Sequence, residues 1–251
     1  MNTVKVYDLP TRIFHWLFAI LFIYSFAIAN LIDDESTLFV YHKLSGILMI
    51  FLVVMRIIWG VFGSKYAKFS SFKLTPSSLL SYFNSILSSK STRYLGHNPA
   101  SSYASILMFM FAIFLGVTGI LMSKGINKEL FEEIHELCAN GFFITVIIHI
   151  VGVIFHQNKH KDGMIYSMIN GKKESIKDKK GISSNHNFTA IIFVATIISF
   201  ATYLNHNYDS NNHILKLFGN KLSLGEDDHD EHNYKNKGHS EYDYDNNEDD
   251  D

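Results

Sequence analysis

Apolar residues in this chain come in long blocks that are hydrophobic all round, not at the three-to-four-residue intervals of a soluble amphipathic helix. Five blocks run Arg12–Ile32, His42–Phe62, Tyr103–Met122, Phe131–His156 and Asn187–Leu204, broken mainly by His, Gly, Ser and Thr. A bilayer core takes roughly 20 apolar residues per helix, so each block predicts a transmembrane span, the fifth being the shortest. Between the second and third blocks, Leu74–Leu87 mixes Leu, Tyr, Phe and Ile with serines and predicts a helix lying on the membrane surface. No internal repeat stands out. The pattern describes an all-α, polytopic membrane protein.

Composition agrees, at 47% hydrophobic and 14% aromatic with three prolines. The formal charge of −2 hides an asymmetry, because acids gather at the C-terminus. From Gly225 to Asp251 the chain is dominated by Asp, Glu, Asn and Tyr, and too little apolar area is present to offset the entropy of ordering. The single cysteine, Cys138, excludes an intramolecular disulfide and a multi-cysteine iron–sulfur site, and reads as a small hydrophobe within the fourth span. Lys5, Arg12 and Ala27-Ile28-Ala29 faintly resemble a cleavable signal. Asp8 and Pro10 spoil its basic region and the apolar run continues to Ile32, so the first span is expected to stay.

Basic residues in short loops set orientation. Lys5 and Arg12 precede the first span; Lys65, Lys68, Lys73, Lys90 and Arg93 lie between the second and third; Lys159, Lys161, Lys172, Lys173, Lys177, Lys179 and Lys180 follow the fourth. The loop after the first span holds Asp33, Asp34 and Glu35 and no base, and the loop after the third mixes Lys124 and Lys128 with Glu129, Glu132 and Glu133. A cytoplasmic N-terminus with alternating spans satisfies every loop. If the fifth span inserts, the tail is periplasmic.

His135 and His149 lie fourteen residues apart in the fourth span. Fourteen residues are almost four helical turns, so both imidazoles share one face, roughly 21 Å apart along the axis. Intramembrane histidine is costly and usually functional. The topology puts His42 and His135 near the periplasmic side and His15 and His149 near the cytoplasmic side. Each pair joins two helices, as an iron with two axial imidazoles requires. Gly46 and Gly152 stand about one turn from His42 and His149 and would leave room for a flat macrocycle. Arg56, fourteen residues after His42, reaches the depth of the His15–His149 pair, where it would meet a haem propionate or else snorkel to headgroups. Arg12, three residues before His15, has the same two readings. His156 shares the face of His149 and is a reserve ligand. His97, His160, His186, His206 and His213 read as interfacial or solvated, and His229, His232 and His239 as part of the solvated tail. Carboxylates are absent from the span interiors, Glu132, Glu133 and Glu136 lying at the outer end of the fourth, so a di-iron carboxylate site lacks its ligands.

At these residues the chain resembles the prokaryotic cytochrome b561 family, which is related to the b-type cytochrome subunits of nickel–iron hydrogenases and formate dehydrogenases. The matching pieces are Arg12-Ile13-Phe14-His15-Trp16, Tyr41-His42-Lys43-Leu44-Ser45-Gly46, Arg56-Ile57-Ile58-Trp59-Gly60, Gly96-His97-Asn98-Pro99, Glu133-Ile134-His135-Glu136 and His149. The resemblance covers roughly residues 4–173. It implies a four-helix transmembrane bundle holding two haem b groups with bis-histidine iron, passing electrons between the quinone pool and a partner redox protein.

The expected organisation is a di-haem bundle over residues 1–173, a basic cytoplasmic linker over 174–186, a fifth transmembrane helix over 187–204 and an acidic, largely disordered periplasmic tail over 205–251. The expected place is the bacterial inner membrane, in contact with lipid. Quinone is an expected partner, as is a periplasmic c-type cytochrome drawn in by the acidic tail, or a dehydrogenase or hydrogenase subunit; no nucleic acid is. Lys43 and Lys124 are polar contacts or interfacial anchors on the periplasmic side. Two rival readings are a haem-free transporter using a histidine relay, which would be colourless, and a haem-containing membrane anchor subunit of a larger oxidoreductase complex.

Overall fold

The structure, a computed structural model, describes residues 2–88 and 92–225. The helices are α1 (Leu9–Leu31), α2 (Val40–Phe62), α3 (Pro76–Leu87), α4 (Pro99–Met122), α5 (Lys128–His160), α6 (Met164–Asn170) and α7 (Asn187–Asn207). Among the described residues, five of these (α1, α2, α4, α5 and α7) are long and apolar enough to cross a membrane. Their outward side chains, such as Ile23, Ile148 and Ile191, are more than half exposed, as a hydrocarbon-facing surface should be.

Local chemistry fixes the helix starts. Asp8 caps α1 by accepting from the Thr11 amide at 2.9 Å, and Asn98 caps α4 by accepting from the Ser101 amide at 2.8 Å. In both, proline occupies the first turn, where its missing N–H costs nothing. α4 therefore begins four residues before the apolar block. α5 outruns its apolar block at both ends; its 33 residues span about 50 Å. Glu129 in its first turn and Lys159 and His160 in its last complement the helix dipole.

α1 packs on α2 and α4 on α5 as antiparallel hairpins, α2 packs on α4, and α7 lies against α1 and α2. Among the described residues, α5 makes no comparable backbone approach to α1 or α2. Aromatic side chains cross that gap instead. Phe142, fully buried, has its ring centre 4.5 Å from Phe22, 6.0 Å from Phe18 and 6.4 Å from Phe111.

Two clusters of connecting segments cover the ends of the bundle. At the basic end, β1 (Thr3–Lys5) pairs antiparallel with β2 (Lys172–Glu174). There Tyr66 Oη donates to Lys180 O at 2.8 Å, and Arg93 pairs with Glu174 at 2.8 Å. The N-terminus, the second-to-third loop and the residues after α5 thus share one side, as the alternation of spans requires. The basic linker is tied along the N-terminal strand, with the Ile182 amide on Lys5 O and the Leu9 amide on Asn185 O.

At the other end the structure departs from expectation. Residues 205–225, assigned to the disordered tail, complete α7 and fold into an antiparallel meander of β3 (Tyr208–Asp209), β4 (Ile214–Leu217) and β5 (Asn220–Ser223). The reason is local alternation: Leu215, Leu222 and Leu224 turn inward and bury against Val40 and Leu204. The Ser223 amide bonds Ser123 O at 3.0 Å, and Lys43 Nζ donates to Leu224 O at 2.9 Å, so Lys43 serves as a polar clamp on the sheet. The acid-rich stretch 226–251, with His229, His232 and His239, lies outside the described residues.

Candidate metal centre

His42 stands in the first turn of α2 and His135 near the start of α5, and their ring centres are 6.1 Å apart at an interplanar angle of 72°. Each ring is oriented by the helix before it. His42 Nδ1 lies 3.0 Å from Ser25 O, a carbonyl that only accepts, so Nδ1 carries the proton. Thr118 Oγ1 donates to Phe114 O at 2.9 Å, so its lone pair accepts from His135 Nδ1 at 2.8 Å. Both Nε2 atoms are left with free lone pairs, the tautomer that ligation needs. A metal about 2 Å from each Nε2 sets the ring centres roughly 6 Å apart. Ser25 and Thr118 each precede their histidine by 17 residues, one in each hairpin. Sequence reasoning missed both, although a lone hydroxyl residue one hairpin ahead of an intramembrane His was a usable signal.

Thr118→Val keeps the shape and removes the acceptor. Loss of such an outer partner typically weakens metal affinity about 10- to 100-fold and lowers ligand basicity. The expected result is weaker retention of one metal group and an upward shift of its midpoint potential, read by redox titration; an unchanged potential would remove Thr118 from the site.

At the basic end, His15 stands in the second turn of α1 and His149 in the second half of α5. His15 packs edge-on to Trp16 at 5.2 Å, and its Nδ1 is buried with no hydrogen-bond partner. Arg56 does not extend to the headgroups. It is 3% exposed, with Nη2 donating to Ala67 O at 2.9 Å and its guanidinium 5.1 Å from the Phe69 ring. Its Nη1 is buried without a partner. Arg12 is mostly committed to the fold, donating to Ile169 O and Asn185 Oδ1; only its Nε is buried and unbonded.

The donor set fits haem. Among the described residues no three His, Cys, Asp or Glu side chains converge on one point, so two facing imidazoles need a macrocycle to complete the coordination of an iron. Gly46 and Gly152 face open space, since a Cβ at either would meet nothing within 4 Å. Gly116 and Gly141 behave differently: a Cβ there would strike Ile50 and Phe111, so those two serve helix packing.

Two histidine expectations are corrected. His156, the reserve ligand, is fully buried with both nitrogens engaged: Nδ1 with Tyr82 Oη at 3.0 Å and Nε2 with Asp162 Oδ2 at 3.4 Å. It belongs to a structural network. Asp162 also pairs with Lys173 Nζ at 2.9 Å, and Lys173 donates to Tyr94 O at 2.8 Å. Burial pushes the Asp162 carboxyl up, but the His156 hydrogen bond and the Lys173 ammonium outweigh it and hold the pKa below the usual carboxylate range. Burial lowers Lys173, partly offset by Asp162. A depressed carboxylate stabilises the fold above its unfolded pKa and loses that contribution as pH falls through its folded value. Asp162→Asn leaves a buried ammonium without its counter-ion, an expected cost of about 3 kcal/mol in thermal or denaturant unfolding. His97, expected at the interface, is half-buried between Tyr7 and Phe72, with ring centres 5.4 Å and 4.6 Å away.

Comparison with known proteins gives the family. The family model for prokaryotic cytochrome b561 matches residues 6–171. A probable Ni/Fe-hydrogenase B-type cytochrome subunit of Rhizobium leguminosarum bv. viciae is 24% identical over 213 residues, covering 68% of this chain and 89% of the relative. Similarly named subunits of Escherichia coli strain K12 (Ni/Fe-hydrogenase 1) and Rhodobacter capsulatus are 24% identical over 210 residues and 25% over 227, covering 66% and 71% of this chain and 88% and 84% of theirs. No solved structure matches significantly. α7 and the β3–β5 sheet lie beyond the matched region. With five apolar helices and paired intramembrane histidines, the chain belongs to the prokaryotic cytochrome b561 family, as an integral inner-membrane, haem b-type cytochrome of electron transport.

Proposed function

We propose that the protein holds two haem b groups, one between His42 and His135 and one between His15 and His149, and carries electrons across the inner membrane between the quinone pool and a redox partner at the periplasmic face. The observation that carries this reading is the His42–His135 pair, whose rings are 6.1 Å apart with both Nδ1 protons taken up by Ser25 and Thr118. Haem held between the paired imidazoles would supply the one-electron chemistry. The chain's part is to orient four imidazoles at two depths, exclude water with the Phe18, Phe22 and Phe142 cluster, and place the Arg56 cation against a propionate. Gly46 and Gly152 leave space beside the ligands, and Arg12 braces the basic end.

The basic end is cytoplasmic by the positive-inside rule, which places the N-terminus in the cytoplasm and the β3–β5 sheet in the periplasm. The relatives' names make a hydrogenase subunit the leading periplasmic partner. The acid-rich residues 226–251 favour a cationic docking surface on it, such as that of a c-type cytochrome.

The test is a reduced-minus-oxidised spectrum of the purified protein with haem counted per chain, followed by reduction with a soluble quinol. Two low-spin b haems that a quinol reduces are expected. A folded but colourless protein would overturn the reading in favour of a histidine-relay transporter. Haem that no quinol reduces would remove quinone.

A further inference from the structure

Among the buried nitrogens at the basic end that lack a hydrogen-bond partner are Arg56 Nη1 and His97 Nδ1, both shielded from solvent and bonded to nothing among the described residues. They flank one aromatic wall: the Arg56 guanidinium is 5.1 Å from Phe69, Phe69 is 5.5 Å from Phe72, and Phe72 is 4.6 Å from His97. The carboxylates that might have served them are engaged elsewhere. Asp8 accepts from the Thr11 amide and from Trp59 Nε1, and Asp162 from Lys173 and His156. Unpaired buried donors are costly, so such a pair implies an acceptor that arrives with a ligand.

A carboxylate suits these positions, because Arg56 is a buried cation whose Nη1 donates to no described carboxylate. Burial, and then the Arg56 cation, hold the His97 pKa down at about 3, with Lys173, His149 and His15 adding to the effect. His97 is therefore neutral at pH 7, and with its proton on Nδ1 it would contribute an N–H without a second positive charge. One cation and one neutral donor match a single carboxylate in charge. Tyr7 on one side and Phe72 on the other fix the imidazole plane.

We infer that His97 is a further cofactor-binding residue, which with Arg56 Nη1 seats one propionate carboxylate of the haem held by His15 and His149. The inference rests on the two-haem reading above and deepens it. His97 acts as a positioning residue: it orients the carboxylate, while Arg56 supplies the compensating charge.

The test compares wild type with His97→Phe, which keeps the aromatic packing and removes the donor, and with His97→Gln, which restores an N–H. Haem per chain and the midpoint potential of each haem are measured at fixed pH. The expected result is two haems in all three proteins. In His97→Phe one haem shifts about three- to tenfold toward the oxidised form at fixed ambient potential (up to about 59 mV for one electron). That haem should be the one lost in His149→Ala, and His97→Gln should return most of the shift. Unchanged midpoints in His97→Phe, an equal shift of both haems, or no recovery in His97→Gln would each overturn the inference and leave the two-haem reading standing. Wild type without a haem at His15–His149 would overturn both. If the Phe variant does not accumulate, His97→Leu against His97→Gln gives the same comparison.

Discussion

Replacing His135 by alanine should remove one haem and leave a folded chain with about half the b-type absorbance, because a haem with one axial ligand left is poorly retained. His42→Ala should remove the same haem, since the two rings face each other across 6.1 Å. The double variant should then be no worse than either single one, the signature of residues acting as a unit. His15→Ala and His149→Ala should together define the other haem, and His135→Ala with His149→Ala should give a colourless protein. Spectra and redox titration of each variant decide the matter. If His42→Ala and His135→Ala depleted different haems, the pairing would be wrong even with the haem count right.

Phe142→Ala should be the most destabilising apolar substitution in the bundle. Phe142 is seven residues from His135 and seven from His149, so it sits on their face, about 10 Å along the axis from each. It is fully buried, and with Phe18, Phe22 and Phe111 it fills the gap that the α5 backbone leaves against α1. Truncating such a ring typically costs about 3–5 kcal/mol, because rigid helices cannot collapse onto the cavity. The fall should appear in thermal unfolding followed by the haem absorbance, with both haems affected because the void lies between their sites. Phe142→Leu, which refills most of the volume, should recover most of the stability. If Phe142→Ala melted like wild type, the gap would not depend on that ring for its closure.

Much of the site was legible because helical geometry is regular. The fourteen-residue spacing of His135 and His149 and the charge asymmetry of the loops were enough to match histidines by depth, and Gly46 and Gly152 followed from one-turn arithmetic. Phe142 was legible by the same arithmetic but was passed over, since one phenylalanine among 21 carries no mark of its own. The β3–β5 sheet was lost to composition: a short alternation of leucines next to a strongly acidic stretch reads as tail when averaged over a window. His97 and His156 were misread for another reason. An imidazole just beyond a span, such as His97, is ordinarily solvated, and one seven residues past His149, such as His156, shares its face; only the folded loops show that His97 packs against Tyr7 and Phe72 and that His156 is claimed by Tyr82 and Asp162.

The sequence by itself determined the five long apolar helices, because a bilayer leaves a chain few options: apolar helices of set length. It also carried the family, through short motifs whose residues lie close along one chain. The tertiary structure alone decided which ring nitrogens stay free, which buried donors lack an acceptor, and how the gap beside α5 is filled. Those depend on hydroxyls, carbonyls and aromatic rings brought in from other helices and loops, and a hydrogen bond between residues 17 or 74 positions apart is set by packing, not by the local pattern.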